Sequence, residues 1–205
     1  IIQLSSKSFL ENDNLNDPHC DIQDLLNISG HVIVLSGSLN SLAGKLFEKD
    51  KISEIKDLYG KLKQKFKNDF YIEIQRHDDH NEKQFEKYNL SLSHKIQIPI
   101  IATHEVYYID QSMHEAHDAL LCIKNKTYVN DKNRIKLSTN HNFKSDNEMI
   151  NLFADLPEAL ENNFFLPYKC NFKANNSKPL LPEINSNTKI SPEMMLKTLA
   201  IDGLK

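Results

Sequence analysis

Three short, apolar, largely β-branched runs constrain what this chain can fold into: His31-Val32-Ile33-Val34-Leu35, Phe70-Tyr71-Ile72-Glu73-Ile74 and Ile98-Pro99-Ile100-Ile101-Ala102. Each reads as a strand, and the first as a buried one closed by a turn at Ser36-Gly37-Ser38. Between and after them lie segments with helical spacing, at residues 39–47, 52–66, 81–92 and 112–124. In the second, Ile52, Ile55, Leu58, Tyr59, Leu62 and Phe66 form one stripe with lysines opposite. Strand and helix in alternation predict a parallel α/β fold. In such folds chemistry gathers where strands end. Those ends are Ser36-Gly37-Ser38, Gln75-Arg76-His77 and Thr103-His104-Glu105-Val106-Tyr107.

The flanks read less regularly. Residues 1–20 begin with a short helical pattern and pass into polar loop chemistry at 11–17. Residues 21–27 predict a short helix with Asp21 at its N-cap. After Asn125 the chain is polar and turn-rich to residue 142. Ser145 precedes Glu148 by three, a capping box that predicts a helix over 145–153. Pro157 suits the first turn of another helix. Residues 171–190 read as an extended connector, and Ser191-Pro192-Glu193 opens a last helix to Leu204.

With 205 residues, the chain suits one domain, or one plus a fragment. It is 40% hydrophobic and 26% charged, with net charge -3, which argues against a strongly basic nucleic-acid surface. Only Arg76 and Arg134 are arginine, so bidentate forks for bases or phosphates are scarce. Cys20, Cys122 and Cys170 are widely spaced and contain no C-x-x-C, so a zinc ribbon or disulfide framework is disfavoured. The simplest expectation is a reduced, cytoplasmic protein with no membrane span. A first residue of Ile1 rather than Met suggests a piece of something longer.

His104, Glu105, His114, Glu115 and His117 form the richest cluster of potential metal ligands. His114-Glu115-Ala116-His117 is not the H-E-x-x-H spacing, however. A half-buried, hydrogen-bonded His117 and a solvated His114 are the simpler assignment. Asp78 or Asp79 suits a helix cap better than a cation site. Glu73, inside an apolar strand, is either paired or functional, with pairing favoured. Ser-Gly-Ser is a weak phosphate-loop signal, and Cys122 reads as core. Ser138, Thr139 and His141 lack the surroundings of a hydrolase triad. The lysines at 49–67 read as a solvated helix face.

Taken in order, several segments carry a resemblance: Val34-Leu35-Ser36-Gly37, Tyr71-Ile72-Glu73-Ile74-Gln75-Arg76-His77, Pro99-Ile100-Ile101-Ala102-Thr103-His104-Glu105-Val106-Tyr107-Tyr108, the run from Ala116 to Ile123, and Phe143-Lys144-Ser145 through Leu152-Phe153-Ala154-Asp155-Leu156-Pro157-Glu158-Ala159-Leu160 to Asn162. Together they resemble the alpha subunit of bacterial DNA polymerase III, in its polymerase-and-histidinol-phosphatase (PHP) domain. The resemblance covers roughly residues 28–170, with 1–27 fitting more loosely. It implies part of a distorted seven-stranded β/α barrel: the later part of the PHP domain over 1–170, a connector over 171–190, and the first helix towards the polymerase palm over 191–205. The first half of the domain and the polymerase active site are then absent.

In some members of that family the PHP domain binds metals and trims DNA 3′ ends. The resemblance places Ser38, Glu105 and Tyr107 at ligand positions where the metal-binding pattern has cysteine, aspartate and histidine. Serine and a phenol are poor ligands at neutral pH, so a degraded site is expected. A compensating His104 is disfavoured, and no metal or other cofactor is expected in this chain. Two rival roles remain: a docking module for the proofreading exonuclease, and a metal-dependent phosphoesterase using Glu105, His104 and Glu73. For the parent protein the resemblance implies a nucleotidyltransferase using magnesium, with DNA, deoxynucleotides, the exonuclease subunit and the sliding clamp as partners. A partial barrel with open edges also predicts poor solubility or self-association.

Overall fold

A computed structural model of the chain describes residues 1–12, 17–28, 30–179 and 190–204. The chain divides into two units, Ile1–Cys170 and Asn171–Lys205. The polar segment at 13–16 and the middle of the expected connector, 180–189, lie outside the described residues.

The first unit is built on a parallel sheet in the order β1-β2-β3, from Val34–Leu35, Phe70–Ile74 and Ile100–Ala102. Two helices, α3 (Leu42–Glu48) and α4 (Ile52–Phe66), connect β1 to β2, and α5 (Glu82–Ile96) connects β2 to β3. Register sets Val34 against Phe70, Ile72 against Ile100 and Ile74 against Ala102. Preceding β1 are α1 (Ile2–Leu10) and α2 (Ile22–Leu26). Following β3 come α6 (His114–Asn125), α7 (Asp146–Leu152) and α8 (Pro157–Lys169). Among the described residues the sheet has three strands, and an isolated parallel bridge joins Tyr108 to Asn142 outside them.

The expected stripe on α4 becomes the core. Ile55, Tyr59, Leu62 and Phe66 are buried, while Ile52 at its start stays exposed. They meet Phe70, Ile72 and Ile74 of β2, Phe85 and Leu92 of α5, and Phe153, Leu156 and Ala159. Full burial of each large apolar side chain contributes about 1.5–3 kcal/mol. Tyr59 lies edge-on to Phe70, ring centroids 5.6 Å apart.

The first strand is shorter and less buried than expected. Only Val34 and Leu35 pair, and Leu35 is exposed. His31 has φ +60°, which breaks the extended run. The partner strand begins at Phe70, so residues 31–33 have nothing to pair with. The third strand likewise starts two residues late. Pro99 lacks an N–H, yet its carbonyl still accepts from Ile72 N at 2.9 Å.

Helix ends follow local chemistry. Ser41 caps α3 by accepting from Gly44 N, and Ser145 and Glu148 form the expected capping box on α7. Pro157 occupies the first turn of α8. Asp21 sits at the N-cap of α2 without a side-chain bond. On α8, Asn162 Nδ2 donates to Ile100 O at 2.8 Å and Asn163 Nδ2 to Ala102 O at 2.6 Å. These carbonyls alternate with those that β3 turns to β2, so two side-chain amides seal the outer edge of the sheet.

In the second unit, α9 (Pro192–Asp202) starts at Ser191, whose hydroxyl accepts from Met194 N at 3.3 Å. No helix among the described residues is long and apolar enough to cross a membrane.

Candidate functional site

The C-terminal ends of the three strands converge, as the alternation of strand and helix requires. Gly37, with φ +79°, turns the chain after β1; a Cβ there would collide with the Ser41 side chain. This turn presents Ser38 to a small cavity that Glu73, Gln75, His77, Asp79 and Glu105 also line. Two of the three residues at expected ligand positions, Ser38 and Glu105, thus share one cavity. The third, Tyr107, donates its hydroxyl to Glu105 Oε1 at 2.6 Å. Burial and this hydrogen bond push the Tyr107 phenol up to about 12, so it stays protonated at neutral pH.

Glu73 is a paired carboxylate. Its Oε1 accepts from Gln75 Nε2 at 3.0 Å and from the Thr103 hydroxyl. Ser138 and His141 do not form a triad: the Ser138 hydroxyl donates to His77 O, and His141 faces Asp79.

Three imidazoles stack at the strand ends. His77 lies 4.3 Å from His104 and 4.0 Å from His141 between ring centroids, and its plane is within 6° of the His141 plane. The hydrogen bonds fix the protons. Glu105 N–H donates to His77 Nε2 at 3.1 Å, so the His77 proton sits on Nδ1, which donates to Glu82 Oε1 at 2.9 Å. Both His141 nitrogens face oxygen acceptors, Glu105 O at 3.2 Å and Asp79 Oδ2 at 2.9 Å. Burial alone would lower the His141 pKa, but Asp79 overrides it and the net shift is upward. Burial likewise opposes ionisation of Asp79, and the contact with His141 leaves its pKa lowered. His104 donates Nε2–H to Asn140 O at 2.8 Å, while its buried Nδ1 has no partner. Burial, then the neighbouring His77, lower its pKa to about 4.

Several expectations are corrected here. Asp79 does not cap α5, whose N-cap position is Asn81; its carboxylate instead accepts from Ser138 N and pairs with His141. His114 is not solvated: it is half-buried, its Nε2 against Leu137 O at 3.1 Å. His117 is half-buried as expected, stacked on Tyr107 at 5.0 Å. Cys122 is buried, although Ile123 beside it is exposed.

Ligand atoms of His77, Asp79 and His141 lie within 4.8 Å of one another, a grouping that sequence spacing did not reveal. As arranged it does not fit a metal ion. Imidazole lone pairs lie in the ring plane, and parallel rings cannot aim them at one point. Moreover, both His141 nitrogens already face oxygen acceptors, and the free His77 lone pair is taken by Glu105 N–H.

The segment that covers the site is tied down from several sides. Asn140 Nδ2 reaches His77 O at 3.2 Å, Tyr107 N donates to His141 O at 2.9 Å, and the Tyr108 hydroxyl donates to Ser138 O at 3.0 Å. Upstream, Arg134 forks onto Asp118 of α6, its Nη1 and Nη2 2.5 and 2.7 Å from the two carboxylate oxygens. Both arginines of the chain are thereby committed internally, since Arg76 pairs with Glu86 and Asp155.

Comparison with known proteins agrees with this geometry at the level of family. Residues 1–77 match the PHP domain. The DNA polymerase III subunit alpha of Rickettsia bellii is 37% identical over 204 residues, covering 100% of this chain and 17% of that protein. The Rickettsia prowazekii subunit is 35% identical over 205 residues, again 100% of this chain and 17% of the relative. The Caulobacter vibrioides subunit is 30% identical over 203 residues, 99% of this chain and 18% of the relative. The chain is therefore homologous, along its whole length, to one segment of the DNA polymerase III subunit alpha family and carries that family's PHP match at its N-terminal end.

Proposed function

We propose that this chain is the later part of the PHP domain, with the approach to the palm, of a replicative DNA polymerase III alpha subunit. Its part in that protein is structural. The small parallel sheet is one arc of the distorted seven-stranded barrel. The whole protein transfers deoxynucleotides onto DNA with magnesium held by palm aspartates outside this chain. Its partners are DNA, deoxynucleotides, the proofreading exonuclease subunit and the sliding clamp, in the cytoplasm and away from membranes. End-to-end homology supports this identity.

One observation carries the metal-free reading: the bond from the Tyr107 hydroxyl to Glu105. It occupies a carboxylate oxygen with a neutral donor at the position where a metal-binding relative would place a further ligand. Ser38, across the cavity, is a neutral hydroxyl with weak affinity for divalent ions. The test is metal analysis of the whole natural polypeptide after gel filtration, alongside 3′-end trimming of DNA. We expect no stoichiometric metal at the PHP domain and no trimming. Stoichiometric zinc or manganese, with trimming that Glu105→Ala abolishes, overturns this reading.

The rival phosphoesterase reading uses Glu105, His104 and Glu73, beside which lies the His77, Asp79 and His141 grouping. It requires the stacked imidazoles to separate, and trimming that survives His104→Ala and Glu105→Ala removes it. The docking role is tested by pull-down of the exonuclease subunit with the whole polypeptide.

A further inference from the structure

The hydrogen-bond network at the strand ends leaves a buried amide N–H group unmet. Asn89, on α5, is 1% exposed. Its Oδ1 accepts from the Tyr59 hydroxyl at 3.2 Å, while Nδ2 has no partner. A buried donor left unpaired costs about 1–3 kcal/mol, a strong reason for it to be met. Asn89 lines a cavity of about 30 Å³ at the ends of β1 and β2, together with Ser38, Glu73, Gln75 and Glu86.

The chemistry of the lining narrows the occupant. An anion would face the Glu73 and Glu86 carboxylates. A bare cation would face the Asn89 N–H groups. The occupant must accept from Asn89 and donate to a carboxylate, and water is the smallest molecule that does both. One water centre needs about 10–15 Å³, so the cavity has room for about two. Glu86 already accepts from Arg76 Nε and Nη2, and Glu73 Oε1 already accepts from Gln75 and Thr103. The second Glu73 oxygen and the Ser38 hydroxyl have no such commitments, so they are the natural far-side partners.

We propose that Asn89, Glu73 and Ser38 hold one or two long-lived ordered waters that tie α5 to the ends of β1 and β2. The site depends on the fold alone and not on the polymerase reading. Its test is ¹⁷O water relaxation dispersion on the whole natural polypeptide and on Asn89→Leu, which removes the donor and fills the space. We expect at least one fewer long-lived water in the variant; equal counts overturn the proposal. A high-resolution crystal structure of the unsubstituted protein provides a readout that does not depend on the variant folding. It should show a water about 3 Å from Asn89 Nδ2. A dry cavity, or an ion with anomalous signal in its place, overturns the proposal.

Discussion

Arg76 grips Asp155 with two hydrogen bonds, Nη1 to Oδ1 at 2.6 Å and Nη2 to Oδ2 at 2.9 Å. Its remaining N–H groups go to Glu86 and to Leu152 O. Its guanidinium also lies 4.8 Å from the Phe153 ring centroid. One side chain thereby joins the end of β2, helix α5 and the turn between α7 and α8. Lysine cannot reproduce this, because an ammonium is a point charge without the planar fork. Arg76→Lys should lower stability by about 2 kcal/mol and Arg76→Ala by about 3–5 kcal/mol, since Glu86 would be left unpaired and largely buried. Urea denaturation midpoints check both. An unchanged midpoint in Arg76→Ala would mean the fork is not formed in solution.

The stacked histidines predict an acid-side weakness. His104 has a folded pKa lowered to about 4, so the folded state resists its protonation. Its contribution destabilises the fold as pH falls from about 6.5 towards 4. His141 works the other way: its pKa is raised, so its contribution is fully present below the unfolded value and fades as pH rises through the folded one. Asp79, lowered, contributes above its unfolded value and loses that contribution as pH falls through the folded one. Melting curves from pH 7 to 4.5 should therefore decline less steeply in His104→Gln than in the unsubstituted protein. Parallel declines would show that His104 does not titrate this way.

Lys67 carries φ +53° and ψ -115° at the end of α4. A side chain rarely adopts that conformation, and glycine enters it freely. Lys67→Gly is expected to raise stability by about 1 kcal/mol despite the added freedom of the unfolded chain. A rise in the thermal midpoint checks it, and a fall would place Lys67 in an ordinary backbone region.

Asn162 and Asn163 predict a solubility defect. Replacing both with alanine would uncover Ile100 O and Ala102 O, a free edge able to accept another strand. The double variant should self-associate at concentrations where the unsubstituted protein does not, as read by sedimentation velocity. Identical sedimentation would show that the edge is covered by something else. This edge moderates the expectation of open strand edges, although β1 still presents an exposed Leu35.

Helices and strands were legible wherever a residue answers to its near neighbours. The α4 stripe, the 70–74 strand, the Ser145 and Glu148 box and Pro157 at a helix start all depend on spacings within one element. Periodicity and capping act over three or four residues, so they survive without knowledge of the fold. The extent of β1 was misjudged because a strand ends where its partner does, and that partner begins at Phe70.

By itself, then, the sequence determined the alternation of strand and helix, the strand ends at which polar residues collect, and the family to which the segments are related. Only the tertiary structure decided the partners. His141 meets Asp79 from 62 residues away, and Arg76 meets Asp155 from 79 away. Asn89 ends beside Glu73 only because α5 folds back over the sheet. Such pairings depend on strand register and on the paths of loops, which are set by burial summed over the whole core. No local spacing encodes that sum, so a histidine that reads as unremarkable in the chain ends with both ring nitrogens against oxygen acceptors in the fold.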